Sequence, residues 1–380
     1  MREAKTNGLT LLEHISIIRE HRQEWKVTHK LPEILFLAIT ATIAGAEGWD
    51  EISDFGEDNI EWLRKFSDFE NGIPSYHTVA RVFSAMNPKE FQKAFIAWMN
   101  DCQELTHGAI IAIDGKRLRG SYKQADKSDA IHMVSAFAAG NEVVLGQITT
   151  DQKSNEITAI PKLLQLLDIR GCLITIDAMG CQTKIAKKIV DGGGDYLLAV
   201  KGNQPRLLEA INEIFSIPKL EAASENVLTQ TEKGHGREET RHYMITHDLS
   251  ELGDLVFEWP ELKSLGYIVS FRTEKGKTTE ASARFYISSA ELSVQEFANA
   301  AREHWAIEVK LHWKLDTAMH EDASRVRREN SAENYATVRH TALNLLNADK
   351  TFKASIKRKQ KKANRNTGYI EQVLTGQDAS

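Results

Sequence analysis

Two aspartates each follow a short run of apolar residues, a pattern that could place two carboxylates side by side. Asp114 ends the stretch AIIAID, and Asp177 ends the stretch LITID. Ligands of an α/β sheet gather beyond the carboxyl ends of its strands, and two carboxylates held there repel each other unless a cation lies between them. The pair therefore indicates a site for Mg²⁺ or Mn²⁺. An aspartate before a glycine, as at Asp114, is also an ordinary turn residue.

A third acid lies in a predicted helix near the end of the chain, where polar residues recur every four positions. Glu308 is the candidate, because it stands among apolar neighbours where a purely structural helix would favour Leu or Ala. Two alternatives stay open: an amphipathic helix in which Glu308 pairs with a nearby lysine, and a zinc site built on the same stripe. The polar stripe comprises His304, Glu308, His312 and Asp316, and the aromatic stripe beside it comprises Trp305, Val309 and Trp313.

The elements that must position these acids begin with three short β-rich runs, 109–114, 130–139 and 142–150, which predict an antiparallel meander. Helices and two further strands then alternate. We therefore predict an α/β fold, with a ribonuclease-H-like mixed five-stranded sheet and flanking helices. Asp114 and Asp177 are 63 positions apart, which leaves room for the first and fourth strands to lie side by side.

The sequence before, within and after this sheet is predicted to form separate regions. Apolar residues at three-to-four spacing predict a helical N-terminal domain over 1–104, and alternation at strand period predicts a β-rich insertion over 217–290. The catalytic domain would then comprise 105–216 and 291–348. A basic C-terminal tail, 349–380, would follow without a defined fold.

Composition excludes several classes of protein. No apolar run is long enough to span a membrane, and the N-terminus lacks a secretory signal, so we expect a cytoplasmic protein. Three cysteines without a Cys-x-x-Cys pair argue against a disulfide framework or a zinc knuckle. The net charge of −5 does not indicate nucleic-acid binding, but Lys350 to Arg365 holds eight basic residues and no acid. That segment is either a solvated tail or a surface for DNA.

Several motifs together resemble one family. The segments IAIDGKRLRGSY, ITIDAMGCQ, GGDYLLAVKGNQ and HWAIEVKLHWKLD are similar to the H-repeat-associated transposases, the DDE insertion-sequence proteins found with Rhs elements. The N-terminal segment FENGIPSYHTVARVF resembles the domain that precedes the catalytic one in that family. The resemblance implies an acidic triad of Asp114, Asp177 and Glu308, with a β-rich insertion before the last acid.

The resemblance also implies a function. Two Mg²⁺ or Mn²⁺ ions on the triad would support cleavage of DNA at the element ends and transfer of the freed 3′-hydroxyl to target DNA. The partners would be double-stranded DNA and a second or further copy of the chain, and the protein would associate with the bacterial nucleoid. The alternative is a catalytically silent or domesticated DNA-binding remnant. A small-molecule phosphatase is disfavoured, because Asp114 lacks a second Asp two residues later.

Some residues depart from a related Tyr, Arg, Glu, Lys signature: Ala301, His304 and Leu315 stand at the Tyr, Arg and Lys positions. Trp259 is a candidate to stack on a displaced base, although a core role is the simpler reading. The helix that begins after Ser75 is a candidate to enter the DNA major groove, with Ser75, Tyr76, His77 and Arg81 as contacts. The predicted DNA contacts near the triad are Lys116, Arg117, Arg119, Lys201, Lys233, His235, Arg237, His312, Lys314, Arg325 and Arg327.

Overall fold

The structure is a computed structural model. It describes residues 7–102, 108–119, 121, 130–150, 156–215, 227–234, 236–274, 277–278 and 281–376.

The first hundred residues are helical, as their apolar spacing predicts. The long apolar run forms α2, Leu31–Ile43, which is buried on almost every side. Its first turn is fixed by Glu33, whose Oε2 accepts a hydrogen bond from the Lys30 amide at 3.3 Å. The helix ends just before Gly45, which has a φ of 100° that favours glycine. The other helices here are α1 (Asn7–Ser16), α3 (Trp49–Asp58), α4 (Ile60–Leu63), α5 (Tyr76–Ala85) and α6 (Pro88–Cys102), with a 3₁₀ turn at Glu24–Lys26.

Five strands form the predicted sheet, and they are β1 (Ile110–Arg117), β2 (His132–Ala138), β3 (Val143–Thr149), β4 (Leu173–Ile176) and β5 (Asp195–Val200). The first three pair as an antiparallel meander. β4 then pairs parallel with β1, and β5 pairs parallel with β4. The resulting order, β3-β2-β1-β4-β5, is that of the ribonuclease-H-like fold, as predicted. The helices between these strands and after β5 are α7 (Glu156–Leu164), α8 (Thr183–Asp191) and α9 (Pro205–Ile214).

Residues 227–288 add strands to this same sheet. β10 (Ser282–Ser288) pairs antiparallel with β5, so the edge that a five-stranded sheet would leave open is covered. The predicted β-rich insertion is therefore present, and its strands extend the predicted five-stranded sheet. Outward from β10 lie β8 (Ser264–Glu274), β7 (Arg237–Thr246) and β6 (Val227–Gly234), with β9 (Lys277–Thr278) paired to β8 and a short helix, α10 (Leu255–Glu258), between β7 and β8.

The predicted long helix near the end of the chain is divided into three segments. These are α11 (Val294–His304), a π-helical segment (Ile307–His312) and α12 (Trp313–Ala318). α11 packs against β1 and β4 and also against β6 and β7, so the sheet curls around it.

A buried helix, α13 (Ser331–Ala348), joins the N-terminal helices to the sheet. Its Asn334 side chain donates to the carbonyl of Phe83 at 2.8 Å. Its Asn344 side chain accepts from the amide of Val144 and donates to the carbonyl of the same residue, at 2.9 and 2.8 Å. These bonds tie both regions to one helix.

The prediction that the basic tail lacks a defined fold was wrong. Residues 356–375 form α14 (Ile356–Arg365) and α15 (Thr367–Thr375). Apolar residues such as Ala363 and Ile370 are buried, and α15 contacts α1 while α14 contacts α2. The buried Lys359 ammonium donates to two backbone carbonyls at 2.6 Å each. The segment folds because its apolar residues recur on one helical face, which leaves most of its charges outside.

From the sequence we expect neither a membrane-spanning helix nor a disulfide framework. The described residues bear on both expectations. No helix among them has the length and apolar composition that a bilayer crossing requires. Cys102, Cys172 and Cys181 are free thiols, the last two of them buried.

Candidate active site

Asp114 and Asp177 occupy corresponding positions at the carboxyl end of the parallel β1–β4 pair. The ladder pairs Ile113 with Ile176, and each aspartate is the next residue on its strand. Asp177 lies just beyond β4, where its Oδ1 accepts hydrogen bonds from two backbone amides of the following turn, at 3.0 and 3.3 Å. Asp114 lies inside β1, because β2 continues to pair with β1 for three residues after it. The parallel register therefore brings the two acids together.

The π-helical segment brings two more side chains to Asp114. Nδ1 of His312 lies 4.0 Å from Oδ2 of Asp114 and 3.8 Å from Oε2 of Glu308. Glu308 is half exposed, whereas only 7% of the His312 side chain is exposed. π-helical turns are uncommon and often occur at functional sites. Here the segment places Glu308 and His312 together at Asp114.

Negative charge is concentrated at this edge of the sheet. Burial, followed by the charge of Glu308 and then by those of Glu156 and Asp177, raises the pKa of Asp114 from its ordinary 3.8 to about 7. Burial lowers the pKa of His312, so its imidazole is neutral near pH 7. A neutral imidazole cannot balance the carboxylates, but it can offer a lone pair to a cation.

These residues fit a divalent ion. The donor atoms of Asp114, Glu308 and His312 all lie within 4.8 Å of one another. The distances of 3.8 and 4.0 Å from His312 to the two carboxylates are too long for hydrogen bonds. Nε2 of His312 is also buried without a hydrogen-bond partner among the described residues. Two carboxylates and one imidazole are ligands that Mn²⁺ accepts, and carboxylates are those that Mg²⁺ prefers.

Lys116 is held by carboxylates of the protein and does not extend toward DNA, contrary to the prediction. Its side chain is only 12% exposed, and its Nζ lies 2.5 Å from Asp316 Oδ1, 2.9 Å from Glu321 Oε2 and 3.9 Å from Asp322 Oδ1. The Glu321 side chain is 2% exposed. Lys116 therefore ties β1 to the chain after the π-helical segment, as part of a buried ion cluster.

Two other predicted DNA contacts also have protein partners. Lys314 donates to Oε2 of Glu142 at 2.7 Å and to Oδ1 of Asn347 at 3.2 Å, so the predicted phosphate contact at this lysine is not supported. Lys233 forms an exposed ion pair with Glu238 at 3.1 Å, near the tip of the β6–β7 hairpin.

The remaining predicted DNA contacts lie on the surface of the described chain, except for Arg327 and for His312, whose side chain is 7% exposed beside Asp114. Arg119 pairs with Asp322 at 3.6 Å, although 82% of its side chain is exposed. Arg327 is partly buried, and His235 lies outside the described residues. The exposed ones are Arg117, Arg119, Lys201, Lys233, Arg237 and Arg325.

The zinc alternative on the polar stripe is not supported by the structure. Nδ1 of His304 lies 3.1 Å from the Thr175 hydroxyl, and Asp316 pairs with Lys116. The stripe is therefore divided: Glu308 and His312 lie together at Asp114, whereas His304 and Asp316 have other partners. Trp259 is 3% exposed, which agrees with the core reading rather than with base stacking.

Sequence reasoning missed Glu156, the first residue of α7. Burial, followed by the charge of Asp177, raises the pKa of Glu156. Its Oε1 lies 3.7 Å from Nδ1 of His132, and 13% of its side chain is exposed. An acid in the first turn of a helix is common, so nothing in the local sequence distinguishes Glu156.

The stability of the metal-free protein should depend on pH through Asp114. Between about pH 4 and 7 the folded state keeps the Asp114 proton that the unfolded state has already lost. The free energy of unfolding should therefore fall across this window as pH rises, and Asp114→Asn should make the fall shallower. Urea unfolding in chelator at several pH values measures this. Equal slopes for the two proteins would contradict the raised pKa.

Family models match most of the chain. Residues 106–345 match the model described as "Transposase DDE domain", and residues 12–99 match the one described as "DDE_Tnp_1-associated". The structure of a piggyBac transposase synaptic complex with hairpin DNA aligns with a TM-score of 0.43 and 11% identity, over 97% of this chain and 78% of that one. That likeness is too low to bear on fold or function.

Similar proteins extend over almost the same length. The chain is 50% identical over 373 residues to "H repeat-associated putative transposase YhhI" of Escherichia coli (strain K12), which covers 97% of this chain and 99% of that protein. It is 52% identical over 367 residues to "Putative transposase YncI" of Escherichia coli O157:H7, which covers 96% of this chain and 94% of that protein. These matches show that the chain belongs to the DDE transposase family, among the H-repeat-associated transposases.

Proposed function

We propose that this chain binds the ends of an insertion-sequence-type element and catalyses metal-dependent strand cleavage and strand transfer. The observation that carries the proposal is the convergence of Glu308 and His312 on Asp114, at the strand end that also bears Asp177. Membership of a family of metal-dependent DNA-processing enzymes supports the same reading. Because an element has two ends, the active form would be a homodimer or a higher oligomer.

In this mechanism the chain supplies a fixed array of carboxylates. Asp114, Asp177 and Glu308 would hold the metal, and the neutral His312 could add a nitrogen ligand. Divalent ions bound there would activate water and then a 3′-hydroxyl for in-line attack on phosphorus. Asp177 is oriented by the backbone amides of its turn, so its carboxylate needs little reorganisation. Asp114, with a pKa of about 7, would release its proton when a cation binds.

We assign DNA recognition to two exposed surfaces. The first is the start of α5, where Ser75, Tyr76, His77 and Arg81 are all exposed, and we propose that it reads the element ends. The second is the outer face of α14, which carries Lys357, Lys361 and Arg365, and which would bind phosphates without regard to sequence.

Incubation of the protein with a duplex of its own element end tests this function. Mg²⁺ or Mn²⁺ should support cutting at the element boundary, whereas Ca²⁺, with its looser geometry, should permit binding with little cutting. Chelator should abolish cutting. If the protein binds the end in a sequence-dependent way but never cuts it with any of these ions, the catalytically silent alternative is correct.

Neutralising the α14 surface should weaken DNA binding equally for all sequences. Because α14 and α15 pack into the protein, substitutions are better than a deletion. Lys357→Gln with Lys361→Gln should lower affinity for end and random duplexes by similar factors. The slope of log affinity against log salt should also become shallower, by about 0.9 for each phosphate that the variant no longer neutralises. Fluorescence anisotropy at several salt concentrations measures both quantities.

The matched control is Lys89→Gln with Lys93→Gln, two exposed lysines with the same spacing on α6. This pair should change neither quantity. If the α14 variant no longer distinguished end duplexes from random ones, the assignment would be contradicted. In that case α14 would be the surface that recognises the DNA sequence.

A further inference from the structure

Glu156 approaches the two aspartates from the side of β1 opposite to Glu308. Along a strand successive side chains point to opposite faces, so Asp114 and the position of Gly115 face opposite sides. Asp114 faces the helix that leads to Glu308, whereas Gly115 faces α7, on which Glu156 is the first residue. Five residues that precede α7, 151–155, lie outside the described part of the chain.

Gly115 is what allows this approach. A Cβ on residue 115 would collide with the carboxylate of Glu156 and would lie 2.8 Å from its Cγ. The Glu156 side chain therefore rests directly on the backbone of β1, one residue after Asp114. A glycine at this position permits close contact that no other residue would allow.

The location is electrostatically unfavourable for a carboxylate. Glu156 is mostly buried, and its carboxylate lies against the backbone of Gly115, one residue after Asp114. Among the described residues, the basic group within ion-pair distance is His132, at 3.7 Å. At that distance the imidazole makes no hydrogen bond to the Glu156 carboxylate. A cation would offset the repulsion among these carboxylates.

We propose that Glu156 is a fourth carboxylate ligand of the metal centre, on the side of Asp114 and Asp177 opposite to Glu308. This inference rests on the proposed function, because it assigns a residue to the metal that the function requires. The carboxylate array would then surround the strand end from both faces of the sheet. The ion that this array would bind is a divalent cation of the Mg²⁺ or Mn²⁺ class.

A purely structural role for Glu156 makes the opposite prediction for stability. As an acid in the first turn of α7 it would stabilise the helix, so its loss would lower the melting temperature of the metal-free protein. As a metal ligand held beside two other carboxylates it destabilises the metal-free fold. Its loss would then raise that temperature and reduce the further increase that metal produces.

The experiment uses the full chain without DNA. Glu156→Gln, Asp114→Asn and wild type are compared by thermal unfolding in chelator and by calorimetric titration with Mn²⁺. For Glu156→Gln we expect a higher melting temperature in chelator and a loss of Mn²⁺ affinity of about ten- to hundredfold. The control is Glu209→Gln, an exposed glutamate on α9, which should change neither quantity.

A second variant removes no charge. Gly115→Ala should push the Glu156 carboxylate away and lower Mn²⁺ affinity, and the loss should shrink in a Glu156→Ala background, where the collision is absent. If Gly115→Ala does not fold alone, recovery of folding in that background supports the same contact, and failure there too overturns it.

The outcomes separate this inference from the function on which it rests. If Glu156→Gln lowers the melting temperature and binds Mn²⁺ like wild type, while Asp114→Asn loses Mn²⁺ binding, the inference on Glu156 is overturned and the metal centre stands. If wild type and Asp114→Asn bind Mn²⁺ equally, the metal centre itself is wrong.

Discussion

Asparagine in place of Asp114 should abolish strand cleavage while leaving binding to element ends intact. The substitution removes a metal ligand and one negative charge, but it leaves the exposed basic surfaces unchanged. Losing such a ligand costs several kcal/mol of transition-state stabilisation, so cleavage should slow by on the order of 10³-fold or more. Asp177→Asn and Glu308→Gln should behave in the same way. Cleavage of a labelled end duplex and its binding by gel shift give the two measurements.

Asp54→Asn is the matched control, because Asp54 is exposed on α3 and the substitution removes the same charge. It should cut at the wild-type rate. A Glu308→Gln protein that also cuts at the wild-type rate would remove Glu308 from the proposed triad. The nearby Glu321 could not easily replace it, since its buried carboxylate is engaged by Lys116 at 2.9 Å.

Methionine in place of Lys116 should destabilise the fold by about 3–5 kcal/mol, the cost of breaking a buried ion pair by removing one partner. The substitution would leave Glu321 buried without its ammonium partner, and would also free Asp316 from an ion pair of 2.5 Å. Burial acts to raise the pKa of Glu321, but Lys116, His340 and Arg339 hold that pKa below its ordinary value. Urea unfolding near pH 7 measures the loss.

The exposed pair of Lys187 and Asp191, 3.2 Å apart, gives the comparison. Lys187→Met should cost less than about 1 kcal/mol, because surface ion pairs contribute little. If Lys116→Met weakened DNA binding with the unfolding free energy unchanged, Lys116 would be a DNA contact, as the sequence alone predicts, and the buried cluster would not be structural.

The two aspartates could be located from the sequence because a local pattern encodes them. An apolar run of strand length marks a buried strand, and the acid directly after it is predicted to lie at the strand end. This holds for Asp177, which follows β4, whereas β1 continues from Asp114 to Arg117. The order of strands and helices then places the first and fourth strands together, as the pairing of Ile113 with Ile176 shows. Glu308 could be proposed because a charged residue interrupts an apolar face.

Other features depend on contacts that no local pattern encodes. A lysine two residues after a candidate catalytic acid looks like a phosphate ligand, but the partners of Lys116 lie 200 and 205 residues further along the chain. Glu156 resembles any acid at a helix start until the missing Cβ of Gly115 shows where its carboxylate lies. The helical tail was missed because the density of charge in 350–365 obscured its apolar face.

The most direct test of the metal centre is the position of Mn²⁺ in crystals of the protein with its element-end DNA, located by anomalous scattering. We expect an ion about 2.1 Å from a carboxylate oxygen of Asp114. Glu308 or Asp177 should be a second ligand, and the scissile phosphate should contact the same ion. Mn²⁺ found only elsewhere, or a scissile phosphate remote from the end of the β1–β4 pair, would contradict the proposed site.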